Sequence, residues 1–217
     1  MTLPLNSNGK DHETSANPTD TLLSALRGAG FFSVRFGSHD GRTGAAAVLV
    51  DGQLVNSDVM LAGQAVGHRI ETVEGLNPAV GELHPIQKAF VETGAIQSGY
   101  STPAMILAAK ALLDQNLNPT EAEVRDAFSG VLCRETGYVK PVQAVLRAAA
   151  YLRGEEVPPF DGPPIIDASY LVENPPAPDE DAGPELAGGE SGAVQTETKP
   201  KTDILLTSGV PETAVVG

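Results

Sequence analysis

Apolar positions in the first 76 residues follow two spacings, and the change from one to the other lays out the elements. Leu22, Leu23 and Leu26 recur at helical spacing, with Thr19 or Asp20 as a cap and Gly28 and Gly30 as terminators, so a short helix is expected there. The runs AAAVLV and QLVNS flank Asp51-Gly52, a pair that suits the left-handed positions of a type I′ hairpin turn. Between helix and hairpin lies FGSHDGRTGAAA, whose Gly37, Gly41 and Gly44 imply a backbone that wraps tightly round something or packs closely on itself. From Leu5 to Leu76 the chain therefore reads as mixed helix and strand.

From His84 to Gly154 the spacing is helical throughout. His84-Pro85 opens a helix carrying Ile86, Ala89 and Phe90 and ending at Gly94, and Thr102-Pro103 opens another carrying Met105, Ile106, Ala109 and Leu113. Thr120 with Glu123 forms a capping box ahead of Val124 and Phe128. A last segment from Val139 repeats Val142, Val145, Leu146, Ala149 and Leu152 on one face. Two helical hairpins forming a small bundle are expected, and no repeat of solenoid or propeller length is visible.

Composition changes the picture at the C-terminal end. From Glu155 onward there are thirteen acidic residues against Lys199 and Lys201, with ten of the 17 prolines. Such a stretch has too little apolar surface to offset the entropy of ordering it, so 158–217 is expected to be an extended or disordered acidic tail. Two apolar islands in it, Ile165 to Val172 and Ile204 to Val210, are candidate partner-docking segments. The whole chain has 217 residues and a net charge of -14, the wrong sign for neutralising nucleic-acid phosphates or an anionic membrane. No apolar run is long enough to span a bilayer, and Met1 to Asn17 lacks an apolar signal core. A cytoplasmic location is the default expectation, with export beside a signal-bearing partner or cell-envelope association left open. The single cysteine, Cys133, can form no internal disulfide and cannot alone hold a zinc or iron–sulfur centre.

The order of blocks is informative: PTDTLLSALR, the Gly-rich loop, VLVDGQLVNS, IETVEGL, HPIQKAFVETGAIQ, TPAMILAAKALL, NPTEAEVRDAFSG and LCRETGYVKPVQAVLRAA. From about Asn8 to Arg153 it resembles the iron–sulfur small subunit of the molybdenum hydroxylases, the xanthine dehydrogenase and aldehyde oxidoreductase family. The resemblance implies an α+β fold: a ferredoxin-like β-grasp domain over 1–80, then an all-α four-helix domain over 81–157, each normally holding one [2Fe-2S] cluster. It also implies a large molybdopterin-type partner, with a further subunit in some assemblies, and hence a hetero-oligomer. Gln97 matches the family glutamine that meets the partner's molybdopterin.

The departures fall on the cluster loops. Where the family has GCxxGxCGAC and a fourth cysteine just after VNS, this chain places Ser38, Thr43, Ala46 and Asp58. Where it has QCGFC and LCRC, the positions are Ser98, Ser101, Cys133 and Glu135. An alanine has no donor and a serine or threonine hydroxyl hardly ionises, so seven of eight thiolates are lost together with the charge they supply. The expectation is a chain with no cofactor of its own, no metal and no catalytic residue, its molybdopterin residing on a partner. Asp58 with Ser38 and Thr43, or Glu135 with Cys133, offers hard oxygen donors. The preferred reading is that these groups hydrogen-bond the amides of vacated loops while small residues collapse into the space. His12, His39, His68 and His84 are read as structural. Function is then expected to be that of a non-redox structural subunit that keeps the family's docking surface without its electron relay. A scaffold protein of a non-catalytic complex is the alternative, and an electron-transfer oxidoreductase subunit the second alternative.

Overall fold

A computed structural model describes residues 2–79 and 81–160; of the expected acidic tail only 158–160 fall within it, without regular structure, and the rest of that expectation with its two apolar islands lies outside the described residues. The described residues belong to one compact unit. The chain opens with a hairpin, β1 (Thr2–Ser7) and β2 (Lys10–Ser15), turned at Asn8-Gly9, both left-handed at φ 53° and 74°. Its alternation of Leu3, Leu5 and Ser7 inward places every second residue on the core face. A short helix, α1 (Leu22–Gly28), follows, buried along Leu22, Leu23, Ala25 and Leu26. Its cap is Thr21, whose hydroxyl accepts from the Ser24 amide at 3.2 Å. That corrects the expected Thr19 or Asp20, since Asp20 instead turns back to accept from the Asn17 amide.

The expected hairpin is β3 (Ala47–Val50) and β4 (Gln53–Asn56), with Asp51 at φ 48° and Gly52 at φ 80° between them. A short β5 (Arg69–Glu71) completes a five-stranded mixed sheet in the order β2-β1-β5-β3-β4, in which β1 and β5 run parallel and the other pairs antiparallel. Four helices then follow: α2 (Pro85–Glu92), α3 (Thr102–Leu113), α4 (Glu121–Ala127) and α5 (Val139–Leu152). His84 and Thr120 cap α2 and α4 through capping boxes as read from sequence. In α3 the first helical residue is Thr102 rather than Pro103, with Ser101 at the cap. The α+β class holds.

β3 joins the two halves. All four of its residues are buried, because side chains alternate across a strand and both faces here are covered. Val48 and Val50 pack with Leu5, Leu22, Leu26 and Ile70 under α1. Ala47 and Leu49 face the other way, into a core built with Phe90, Met105, Leu107, Phe128 and Val145 from the helices.

At the outer edge of the helical layer, Glu92 on α2 accepts from Arg147 Nε and Tyr151 Oη on α5, each at 2.6 Å. Burial pushes the Glu92 carboxyl up, but the hydrogen bonds from Tyr151 and Arg147 outweigh it and hold the group below the usual carboxylate range. A carboxylate depressed by folding contributes stability that is fully present above its unfolded pKa of about 4.3 and is lost as pH falls through the lower folded value. Glu92→Gln is therefore expected to lower the melting temperature at pH 7 and to match wild type once the pH lies below the folded value. Thermal unfolding followed by circular dichroism across that range checks it.

Candidate functional site

Three loops converge where the sheet meets the helices: 36–46, 97–101 and 130–136. The first owes its course to glycine. Gly44 has φ 66°, and a Cβ built on it would stand 1.9 Å from the Gly130 carbonyl oxygen, so only glycine lets the two backbones approach. One residue earlier the Thr43 carbonyl accepts the Leu132 amide at 2.9 Å. Gly37 is close-packed in a weaker sense, since its Cβ position falls on the Thr43 hydroxyl, a side-chain atom that can rotate away. The Gly-rich spacing signalled close packing; its partner at Gly130 had no sequence signal.

The third loop is held by Tyr138, itself left-handed at φ 64°. Its hydroxyl donates to the Val131 carbonyl at 2.9 Å and accepts the Cys133 amide at 2.7 Å, closing the loop that carries the cysteine. Tyr138→Phe removes both bonds and leaves a half-buried carbonyl and amide without their partner, a loss of about 1–2 kcal/mol. The expected signature beside the lower melting temperature is faster hydrogen exchange at the Cys133 amide. Nothing in sequence singled out this tyrosine.

Of the eight positions matched to the cluster loops, the structure brings one group together in space. Ser98 and Ser101 hydroxyls lie 3.1 Å apart, and the Cys133 thiol sits 3.9 Å from Ser98 Oγ and 3.8 Å from Glu135 Oε2. These four, with Thr43 and Tyr100, line a cleft of about 260 Å³. Burial pushes the Cys133 thiol up, but bonds from the Ser101 hydroxyl and from Thr136 outweigh it and bring the thiol below its ordinary value.

The first four positions are divided. Thr43 belongs to that same cleft, whereas Ser38 and Asp58 line another. Ser38 Oγ accepts the Arg42 amide at 3.1 Å and Thr43 Oγ1 accepts the Ala45 amide at 3.4 Å, as expected of groups that satisfy a loop. Ala46 is fully buried, its carbonyl accepting both the amide and the hydroxyl of Ser57. Asp58 departs from the expectation: it is buried and bonds to no loop amide among the described residues. A 360 Å³ cleft beside it shows that the loop does not collapse over this side of the site.

Gln97 is exposed, its amide nitrogen donating to Gly94 O at 3.3 Å. Three apolar side chains of these loops, Ile96, Tyr100 and Leu132, are each about half exposed or more. Tyr100 reaches across to the first loop, its hydroxyl donating to the Phe36 carbonyl. The histidines have local duties: His84 caps α2 and His68 meets Asp51, while His12 and His39 pack edge-on against Phe31 and Phe36. Among the described residues no group of three or more His, Cys, Asp or Glu side chains is placed to hold a metal ion. No described helix is long and apolar enough to cross a membrane.

Comparison with known proteins gives these loops a context. A family model described as "[2Fe-2S] binding domain" matches residues 72–146. The chain is 45% identical over 150 residues to the nicotinate dehydrogenase small FeS subunit of Eubacterium barkeri, covering 69% of this chain and 94% of that one. It is 38% identical over 148 residues to the xanthine dehydrogenase iron-sulfur-binding subunit of Escherichia coli, covering 67% and 92%. The crystal structure of the aldehyde oxidoreductase from Desulfovibrio desulfuricans superposes with a TM-score of 0.68 at 39% identity, over 72% of this chain and 18% of that one.

These findings correct the expectation of a chain without a cofactor of its own. The match to a [2Fe-2S] binding domain, with relatives that are FeS subunits, points to an iron–sulfur cluster on this chain. The expectation failed because it weighed ligand identity alone, whereas the helical scaffold that frames such a site is present throughout. The donors gathered at Ser98, Ser101, Cys133 and Glu135 are one thiol, two hydroxyls and one carboxylate. They do not reproduce the four thiolates that ordinarily hold such a cluster.

Proposed function

Because this chain belongs to the iron–sulfur small subunits of the molybdenum hydroxylases, the xanthine dehydrogenase and aldehyde oxidoreductase family, we propose that it works as the docking subunit of such a complex. Its contribution is structural and non-redox, and substrate chemistry belongs to a larger, molybdopterin-carrying subunit. The observation that carries the reading is the exposed face at the loop junction. Ile96, Tyr100 and Leu132 leave apolar side chains exposed on the loops that carry Gln97 and Cys133, while the cleft lined by Tyr100 and Leu132 lacks a four-thiolate set. Exposed apolar side chains in company with polar ones are the make-up of a protein–protein contact. Gln97 offers an amide able both to donate to and to accept from a pterin ring on the partner. In this reading the two-part layout, a ferredoxin-like part over 1–80 and a helical part over 81–157, serves to present that face.

A second reading is favoured by the family match over 72–146: an electron-transfer subunit, with Cys133 among the ligands of its cluster. One preparation separates the two. The native complex is purified through this chain, co-purifying proteins are identified, and molybdenum, iron and acid-labile sulfide are measured per chain. A large hydroxylase-like partner with molybdenum is the expected result, and recovery of the chain without such a partner overturns the docking reading. About two irons and two sulfides per chain that are reduced when substrate is added establish the electron-transfer reading. Molybdenum that turns over while the iron of this chain stays oxidised establishes the structural one.

A further inference from the structure

We propose that Asn8 is a deamidation site that the fold holds closed, and that its conversion to an aspartyl group unpins the turn of the N-terminal hairpin from Thr72. The inference does not depend on the docking reading. Of the asparagines in the chain, Asn8 alone precedes a glycine. A glycine nitrogen is the least hindered backbone nucleophile, since no Cβ stands beside it, and Asn-Gly is the pair most prone to close into an imide. Asn8 is half-buried and Gly9 exposed, both in the left-handed region at φ 53° and 74°.

The reaction needs only water and involves no redox change. The Gly9 amide gives up its proton and its nitrogen bonds to Asn8 Cγ, the bond from Cγ to Nδ2 breaks, and ammonia leaves with that proton. Water then opens the five-membered imide at one carbonyl or the other, which leaves aspartate or isoaspartate at position 8. The structure opposes the first step. The Thr72 amide donates to Asn8 Oδ1 at 2.8 Å, and Asn8 Nδ2 donates to Thr72 Oγ1 at 2.9 Å. A backbone N–H can only donate, so the first of these bonds fixes which end of the carboxamide faces it. The side chain lies against Gly75, where an added Cβ would fall on Asn8 Cγ and Oδ1, and the Asn8 amide donates to the Ile70 carbonyl at 2.8 Å. Bringing Cγ to bonding distance of the Gly9 nitrogen pulls the carboxamide out of this seat.

The same contacts decide what conversion does. Thr72 is fully buried, and its one hydroxyl proton goes to Glu74, which also accepts the amide and the hydroxyl of Ser33. Burial pushes the Glu74 carboxyl up, but bonds from Ser33 and Thr72 outweigh it and hold the group below its ordinary value, so it is ionised at neutral pH. An amide at position 8 donates to the remaining lone pair of Thr72 Oγ1. A carboxylate there can only accept, which sets two anions against one hydroxyl with a single proton. Isoaspartate also adds a backbone carbon to a turn whose strands are already in register. Either product loosens the β1–β2 turn from Thr72–Gly75, the start of the connection between β5 and α2.

The test incubates the full chain at slightly alkaline pH, folded and in denaturant, and follows position 8 by peptide mass mapping, with aspartyl and isoaspartyl peptides separated by chromatography. The folded chain is expected to convert about tenfold or more slowly than the unfolded one, the rate equivalent of the bonds that must break. Thr72→Val keeps the side chain's shape without the hydroxyl and is expected to speed conversion severalfold, while Thr72→Ser stays near wild type. Leu49→Ala lowers stability away from this turn and serves as control for conversion through global unfolding. Asn8→Asp, made directly, is expected to melt below wild type at neutral pH. That gap should narrow as acid protonates the new carboxyl, which then donates to Thr72 as the amide did. Equal rates in the folded and unfolded chain, an acceleration in Thr72→Val no greater than in Leu49→Ala, or an Asn8→Asp chain that melts with wild type at neutral pH overturns the proposal.

Discussion

Gly44→Val is expected to destabilise the protein by about 3 kcal/mol. Two costs combine: a β-branched residue forced into the left-handed region loses roughly 1–2 kcal/mol, and an overpacked contact adds roughly 1–3 kcal/mol. The second cost is unavoidable here because the obstruction is backbone, the Gly130 carbonyl oxygen 1.9 Å from the Cβ position. Moving that carbonyl also strains the bond between Thr43 O and the Leu132 amide. Gly52→Ala is the control: its φ is also left-handed at 80°, but nothing lies within 4 Å of its Cβ position. It should lose only the conformational share, about 1 kcal/mol. At roughly 2–4 °C per kcal/mol for a chain of this size, thermal melts should separate the two variants by several degrees. Equal losses would mean that the seam at Gly130 carries no strain and that the loops are free to part.

Leu49→Ala is expected to cost about 3 kcal/mol, within the range for a leucine deleted from a closed core. Leu49 has no exposed surface, and it is a sheet residue whose neighbours are helical: Met105, Leu107 and Phe90 belong to the core it enters. Its loss should weaken the hold of the helical layer on the sheet while leaving the α1 side of β3 intact. Val48→Ala removes a fully buried side chain from the opposite core. Chemical denaturation with one probe on each side of β3 checks the shared strand. Both variants should shift both probes together, as one cooperative transition. A helical-layer probe that shifts alone in Leu49→Ala would show that the layers unfold separately.

Much of the fold could be read from residue order because its signals are local. Thr120 and Glu123 announce their capping box, His84-Pro85 a helix start and Asp51-Gly52 a tight turn, each needing only residues three or four apart. The N-terminal hairpin was less legible: β2 carries Lys10, Asp11 and Glu13 on an edge strand, a polar run with little alternation to mark it. The site was legible in composition but not in contact. Sequence identified the eight positions in the cluster loops, and the structure gathers Ser98, Ser101, Cys133 and Glu135. It could not show that Thr43 joins their cleft while Ser38 turns to another, since the split depends on how the loop bends past Gly41 and Gly44. Nor could it distinguish Asp58 without a partner from Asp58 bonded to an amide. Ligand identity also outweighed scaffold in the expectation about cofactors, and similarity over 72–146 reversed that weighting.

The strand buried on both faces also governs the order in which the chain can mature as it leaves the ribosome. When residue 80 has cleared the exit tunnel, β3 has its sheet neighbours and α1, but the side bearing Ala47 and Leu49 still faces water. That side is not covered until α3 and α5 have emerged, about seventy residues later at a pace of roughly 5–20 residues per second. For several seconds the nascent chain presents a sticky apolar surface, the kind that chaperones hold and aggregates recruit. Ribosome-bound chains stalled once residue 80 has cleared the exit tunnel should therefore bind chaperones, and those stalled after α5 has cleared it should release them.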